Sequence, residues 1–115
     1  MIQITPHMRI FAGLELIDFR KGMDGLAGIC RNIYKQDPFS GWMFVFCNKN
    51  KSSIRILLYD GQGMWLCQKR LSKGCFKWLS GGDATRNLDA HEMQQLIWNG
   101  NIEKLETAPM WKPIL

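Results

Sequence analysis

Three aspartates are the side chains in this sequence that could most readily do chemistry. Asp18, Asp24 and Asp60 could together bind a divalent metal ion and assist phosphoryl transfer. Local roles explain two of them without a metal. Asp24 falls in the first turn of a predicted helix, where negative charge is favourable, and Asp60 begins a turn. We therefore predict no metal site and no catalytic residue, and a metal-dependent nuclease is the least favoured alternative.

Neither nucleophilic catalysis nor nucleotide binding has a signature in the sequence. The two histidines, His7 and His91, lie in no catalytic serine or cysteine context, and no glycine-rich nucleotide motif occurs. The cysteines at positions 30, 47, 67 and 75 form no CxxC pair, which favours reduced, largely buried thiols over a zinc site. Such thiols fit the reducing cytoplasm. We expect no cofactor and no small-molecule substrate.

Basic residues are more informative. The formal net charge is +5, and it is uneven: residues 1–80 contain twelve Lys and Arg against five Asp and Glu, whereas residues 81–115 contain three against five. A basic body with a mildly acidic tail suggests a polyanion partner, and ordinary solubility charge is the alternative. The candidate nucleic-acid-binding residues are Arg20, Lys21, Lys49, Lys51, Arg55, Lys69, Arg70, Lys73 and Lys77.

Aromatic residues alternate with these cations along the chain. One face of an antiparallel sheet could form the core while the other presents cations to phosphates and rings to bases. Core packing is the alternative, because large rings dominate the cores of small domains. The rings concerned are Phe19, Phe44, Phe46, Tyr59, Trp65, Phe76 and Trp78.

A sheet must position most of these residues. Met8 to Leu16 predicts one or two short strands. Four apolar runs separated by polar or glycine-containing turns then predict an antiparallel meander. The runs are Trp42 to Cys47, Ser53 to Tyr59, Met64 to Leu71 and Cys75 to Leu79, and Ser80 to Asp83 breaks the sheet.

Two helices complete the predicted fold. Apolar residues at helical spacing predict one from Gly22 to Gln36, which Asp37-Pro38 would end. A second helix runs between Leu88 and Gly100, and Asp89 and Glu92 match a capping box at its start. We predict a single α+β domain over residues 1–115, with an antiparallel sheet of four to six strands, two helices and an extended tail at about 101–115. No apolar run reaches the ~20 residues that span a bilayer, and no signal peptide is expected.

Several ordered motifs resemble one known family. They are Asp18 to Leu26, Asp37 to Gly41, Phe44 to Phe46, Ile56 to Gly63, and Lys69 to Leu71 with Gly74, Phe76 and Trp78. Together they resemble the Orf2-like, or TnpB-type, accessory proteins of the sixty-six-type bacterial insertion sequences. The resemblance extends from about Met8 to Gly100. Relatives carry more basic residues than this chain in the turn at Asn48 to Ser52, and a Trp where Leu58 or Tyr59 stands here.

The resemblance implies a role in DNA transposition. In such elements a separate, larger transposase carries the acidic catalytic residues, so no catalytic residue transfers to this chain. It implies a functional surface that includes the motif aspartates Asp18, Asp24 and Asp60 together with Arg20, Lys21, Lys69 and Arg70. We expect a DNA-associated accessory protein, with the transposase and the other accessory protein of the element as partners. The alternative is a protein adaptor that docks on the transposase through its sheet edge and the tail around Trp111.

Overall fold

An α+β fold is confirmed by the computed structural model, which describes residues 9–78 and 85–99. In chain order, the elements are β1 (Ile10–Gly13), α1 (Met23–Asn32), β2 (Met43–Cys47), β3 (Ser53–Tyr59), β4 (Met64–Arg70), β5 (Thr85–Leu88) and α2 (Ala90–Asn99). The predicted extended tail at 101–115, Trp111 and the break at Ser80 to Asp83 lie outside the described residues. Neither described helix is long and apolar enough to cross a membrane.

The five strands form one mostly antiparallel sheet in the order β4-β3-β2-β1-β5. The predicted meander is confirmed for β2, β3 and β4, which pair antiparallel in sequence order. β5 pairs antiparallel with β1, whereas β1 and β2 are parallel because the connection through α1 brings the chain back across the sheet. The sheet is therefore mixed and not purely antiparallel.

The prediction of a fourth meander strand at Cys75 to Leu79 is wrong. Residues 75–78 form no strand, and Leu79 lies outside the described residues. The segment instead crosses one end of the sheet, and the Phe76 amide donates a hydrogen bond of 2.7 Å to the Lys51 carbonyl. The fifth strand is Thr85–Leu88, which was not predicted because Leu88 is its only large apolar residue.

Both predicted helices are present but shorter than predicted. α1 ends at Asn32 and not at Gln36, and Lys35 adopts a left-handed backbone conformation with φ of 58° before Asp37-Pro38 is reached. The predicted capping box of α2 is confirmed. The Glu92 amide donates to the Asp89 carboxylate at 2.7 Å, and the Asp89 amide donates to the Glu92 carboxylate at 3.0 Å.

Loss of this cap should weaken α2 measurably. Asp89→Ala removes the acceptor for the Glu92 amide, and we expect it to lower the free energy of unfolding by about 1 kcal/mol. Urea denaturation followed by circular dichroism measures this change. His91→Ala, at an exposed position in the same helical turn, is the control and should change stability by less than about 0.5 kcal/mol. Equal effects of the two substitutions would contradict the capping role.

Helices cover both faces of the sheet, and each face has its own apolar core. Alternation along β1 sends Ile10 and Ala12 into the core beneath α2, and Phe11 into the core beneath α1. Of the two interpretations of the aromatic residues, core packing is confirmed for three rings, and an open face with stacking rings is not found on the central strands. Phe44, Phe46 and Phe76 are fully buried or nearly so, with exposed fractions of 0%, 0% and 1%, and these rings cannot stack on bases.

Candidate nucleic-acid interface

The strand directions bring three connecting segments to one end of the sheet. Because β1 and β2 are parallel and the other pairs are antiparallel, the chain leaves β1, β2 and β4 at the same end. The segments that follow these strands are the loop at 14–22, the turn at 48–52 and the segment at 71–78. We call this end of the sheet, with its three segments, the basic end.

Asn48 gives the turn between β2 and β3 a fixed shape. Its side-chain oxygen accepts hydrogen bonds from the Ser52 and Ser53 amides at 2.9 and 3.1 Å, and its amide nitrogen donates to the Ser52 hydroxyl at 3.0 Å. Lys51 adopts a left-handed conformation with φ of 62°, which closes the turn. Lys49 and Lys51 are therefore held on a defined frame, although both side chains are exposed.

The segment at 71–78 packs along this turn. The Leu71 amide donates to the Ser52 carbonyl at 2.9 Å, and the Cys75 thiol donates to the Asn50 carbonyl at 3.5 Å. The buried Phe76 ring fixes the middle of the segment in the core beneath α2. Further along, the Trp78 indole donates to the Gly13 carbonyl at 2.9 Å. Two separate stretches of sequence thus become one surface.

Five exposed cations belong to this combined surface. None of their side chains makes a hydrogen bond or an ion pair with another residue in the described part of the chain. No salt bridge therefore neutralises these charges in the described part of the chain, and the side chains are exposed to solvent. The five are Lys49, Lys51, Arg70, Lys73 and Lys77.

The loop at 14–22 adds two more exposed cations at the same end. A parallel bridge between Ile17 and Asn48, with the Ile17 amide donating to the Cys47 carbonyl at 2.9 Å, ties the loop to the turn. Arg20 is paired with Asp18 at 2.6 Å, yet its side chain is 90% exposed. Lys21 follows it and is also exposed.

The Asp18–Arg20 pair controls how Asp18 titrates. The side-chain hydrogen bond from Arg20 is the main cause that lowers the Asp18 pKa to about 2, helped by the Arg20 amide and by the nearby charges of Arg20 and Lys49. Since the folded pKa lies below the ordinary value, the pair stabilises the fold above pH 4. That contribution is lost as the pH falls towards 2.

We therefore expect Asp18 to titrate anomalously. Its carboxyl carbon, followed by NMR, should show a midpoint near pH 2, whereas Arg20→Gln should return the midpoint towards the ordinary range. Lys77→Gln removes one exposed charge from the basic end without touching the pair, and should leave the midpoint nearly unchanged. A midpoint that does not respond to Arg20→Gln would contradict the assigned cause.

Besides Arg20, two of the predicted nucleic-acid-binding residues make contacts within the protein. Arg55 lies over the Phe19 ring at 4.5 Å from its centroid, donates to the Lys21 carbonyl at 2.9 Å and donates to the Gln68 side chain at 2.6 Å. Lys69 donates through Nζ to the carbonyl of Ile97 in α2. Arg55 thus positions the loop that carries Arg20 and Lys21, and Lys69 connects β4 to the end of α2.

A family model described as IS66 Orf2 like protein matches residues 8–107. The chain belongs to the IS66 Orf2-like family. This confirms the resemblance found in the sequence and supports an accessory role in the transposition of an insertion sequence.

Two relatives come from Sinorhizobium fredii (strain NBRC 101917 / NGR234), and both bear the description "uncharacterized protein". The protein y4jC is 29% identical over 113 residues, which cover 98% of this chain and 97% of the relative. The protein y4hO is 26% identical over 113 residues, which cover 98% and 96% respectively. No solved structure matches the chain significantly.

The aspartates of this IS66 Orf2-like chain have separate local roles. Asp24 lies in the first turn of α1. Asp60 caps the turn between β3 and β4 at the other end of the sheet, where it accepts the Gln62 and Gly63 amides at 2.8 and 2.9 Å and the Trp65 indole at 2.7 Å. These bonds lower the Asp60 pKa. Among residues 9–78 and 85–99, no three His, Cys, Asp or Glu side chains form a group that could hold a metal ion.

The cations of the basic end are evident in the sequence, but the residues that position them are not. Asn48 and Phe76 bring the turn and the segment at 71–78 together; Asn48 is not among the predicted site residues, and Phe76 was considered only as a ring that could stack on bases or pack in the core. An Asn at the start of a polar hairpin turn is a recognisable signal, because its side chain often bonds backbone amides further along the turn. Phe76 carried no comparable signal, since an apolar residue in a short run predicts a strand equally well.

Proposed function

We propose that this IS66 Orf2-like protein is a cytoplasmic, non-catalytic accessory protein that supports transposition by binding DNA through its basic end. The observation that carries this proposal is a set of five exposed cations that form no ion pair in the described structure, four of them on two loops fixed against each other and the fifth, Arg70, at the adjoining end of β4. Fixed loops reduce the entropy lost when a ligand binds. Family membership supplies the biological context for a polyanionic ligand.

The excess of positive charge at the basic end favours the binding of an anion. Acidic residues do occur there, namely Glu15, Asp18 and Asp24, but Arg20 pairs with Asp18. The cations outnumber these carboxylates, so a phosphate backbone that approaches this end meets a net positive surface. Each phosphate neutralised releases counterions, and the affinity should fall steeply as salt is added.

Phosphate contacts, and not base edges, should dominate this binding. Both described helices pack against the sheet, and the cations of the basic end lie mainly on connecting segments. Loops that contact phosphates fix the position of a protein on a duplex but carry little sequence information. We therefore expect this protein to prefer terminal-repeat DNA only weakly by itself, and to gain sequence preference from its transposase.

The test is binding of the purified protein to labelled terminal-repeat DNA and to a scrambled duplex, across a salt series, with and without the transposase. We expect the protein alone to bind both duplexes, with similar affinities that fall steeply with salt. No binding to either duplex at low salt, with the protein folded by circular dichroism, would contradict a DNA-binding role.

A second candidate function is an adaptor that docks on the transposase without contacting DNA. The observation that favours it is the exposure of two indole rings, since Trp65 is 48% and Trp98 is 65% exposed, and Trp is a common anchor in protein interfaces. The same binding experiment distinguishes the two functions. An adaptor would not bind DNA alone but would alter the transposase–DNA complex when added.

A further inference from the structure

We propose that the protein forms a symmetric homodimer in which β4 of one copy pairs antiparallel with β4 of a second copy. β4 is an outer strand of the sheet, and no described residue pairs with its far edge. The strand is seven residues long and contains no proline. Such an edge is a template for another strand. This inference is independent of DNA binding.

The hydrogen bonds of the β3–β4 hairpin determine which backbone groups the edge offers. The Leu71 amide bonds the Ser52 carbonyl and the Asp60 amide bonds the Gly63 carbonyl. Because hydrogen-bonded pairs alternate along an antiparallel ladder, the residues of β4 that bond β3 are Trp65, Cys67 and Lys69. The outward backbone groups therefore belong to the alternate positions, which are Met64, Leu66, Gln68 and Arg70.

One register pairs the whole strand with its own copy. If Met64 lies opposite Arg70 of the second copy, Leu66 lies opposite Gln68, and every outward position meets another outward position. Cys67 then lies on the two-fold axis opposite itself, in a non-hydrogen-bonded pair with Cα atoms about 4.5 Å apart. A shift of two residues in either direction leaves part of each strand unpaired.

Charge complementarity favours this antiparallel arrangement with a second copy. Lys69 and Arg70 lie at one end of β4, and a parallel arrangement would place these cations beside their own copies. The antiparallel register instead places Arg70, which makes no ion pair in the described structure, opposite Met64 of the second copy, at the end of β4 where the turn carries the exposed Asp60 carboxylate. The positive end of one strand therefore lies near the carboxylate at the other end of its partner. The dimer joins two five-stranded sheets and carries one basic end at each end of the joined sheet.

Cys67 provides a direct test of the register. Cys30 and Cys47 are buried, and burial raises their thiol pKa values to about 12 and about 11, whereas Cys67 is half-buried and Cys75 is exposed. Diamide oxidises two thiols to a disulfide and itself takes up the two protons and two electrons. We expect Cys75→Ser to give a covalent dimer through Cys67, because the expected Cα separation suits a disulfide. Cys67→Ser, which keeps Cys75, should give little dimer.

Gln68 provides a matched pair of variants for the hydrogen bonds. Its amide faces the open edge, so Gln68→Pro removes an intersubunit donor while leaving the β3–β4 ladder intact. Gln68→Ala keeps the backbone amide, and both variants lose the side-chain bond to Arg55. Sedimentation equilibrium should show that Gln68→Pro raises the dimer Kd by at least about tenfold, whereas Gln68→Ala changes it by less than about threefold.

Three results would overturn the proposal. The first is a wild-type protein that is monomeric at tens of micromolar. The open edge of β4 would then pair with another part of the chain or with a different protein. The second is equal dimerisation of the two Gln68 variants. The third is diamide cross-linking that proceeds through Cys75 and not through Cys67. If Gln68→Pro fails to fold by circular dichroism, the cysteine variants decide the proposal by themselves.

Discussion

Phe76→Ala should lower the free energy of unfolding by about 3–5 kcal/mol. The ring is among the largest fully buried side chains, with an exposed fraction of 1%, and it packs in the core beneath α2 although it lies in a segment without regular secondary structure. Removal of the ring leaves a cavity that neighbouring side chains can fill only in part. It also releases the segment that carries Lys73 and Lys77, so the affinity for DNA should fall as well.

Guanidinium denaturation of Phe76→Ala, Phe76→Leu and Lys77→Ala measures the effect on stability. Phe76→Leu keeps an apolar group of similar reach and should cost less than about 1.5 kcal/mol. Lys77→Ala changes an exposed neighbour in the same segment and should change stability by less than about 0.5 kcal/mol. A loss below about 1 kcal/mol for Phe76→Ala would contradict the packing of this segment against the core.

Local signals predicted the parts of the fold that depend on neighbouring residues. Asp89 and Glu92 stand at the spacing of a capping box, and both of their hydrogen bonds form. The hairpin between β3 and β4 follows from alternating apolar residues on either side of a turn begun by Asp60. In each case the interacting residues are close in sequence, so their spacing alone specifies the geometry.

Distant pairings were not predictable from the same signals. β5 is short and has only one large apolar residue. It forms a strand because it pairs with β1, and its own residues give little signal for a strand. The run at Cys75 to Leu79 looks like a strand because Phe76 and Trp78 alternate with polar residues. Phe76 instead lies in a loop, and its ring is buried in the core. Only the tertiary structure determines whether this run forms a strand or a loop.

In the candidate site, too, some features could be predicted from the sequence and others depend on the fold. Residue type identified the cations, but their arrangement at one end of the sheet depends on the parallel β1–β2 pair and on the course of residues 71–78. Arg55 and Lys69 look like phosphate-binding residues in the sequence. In the fold they contact the Lys21 carbonyl and the Ile97 carbonyl, and they hold other elements in place.

Removal of charge from the basic end should have the largest effect on DNA binding. Lys49→Gln, Lys51→Gln and Lys73→Gln remove three exposed cations without disturbing any described hydrogen bond of their side chains. If each contacts a phosphate, the slope of log K against log salt should become shallower by about 2.7. The affinity near 0.1 M salt should fall by about 10²-fold or more.

A matched control separates local contacts from net charge. Arg9, Arg31 and Lys35 lie towards the opposite end of the sheet, where Arg9 and Arg31 are near the rings of Trp42 and Phe39. Their replacement by Gln removes the same three charges from the +5 total. Both triple variants contain one lysine with a left-handed backbone, Lys51 or Lys35, so the backbone effects of the two sets are comparable.

The decisive measurement is the salt dependence of binding to a terminal-repeat duplex for the wild type and these two triple variants. We predict that the basic-end variant loses affinity and slope as stated, while the opposite-end variant stays within about threefold of the wild type, since charges distant from the DNA are screened. Equal losses in the two variants, or no loss in the basic-end variant, would contradict the claim that this end of the sheet binds DNA.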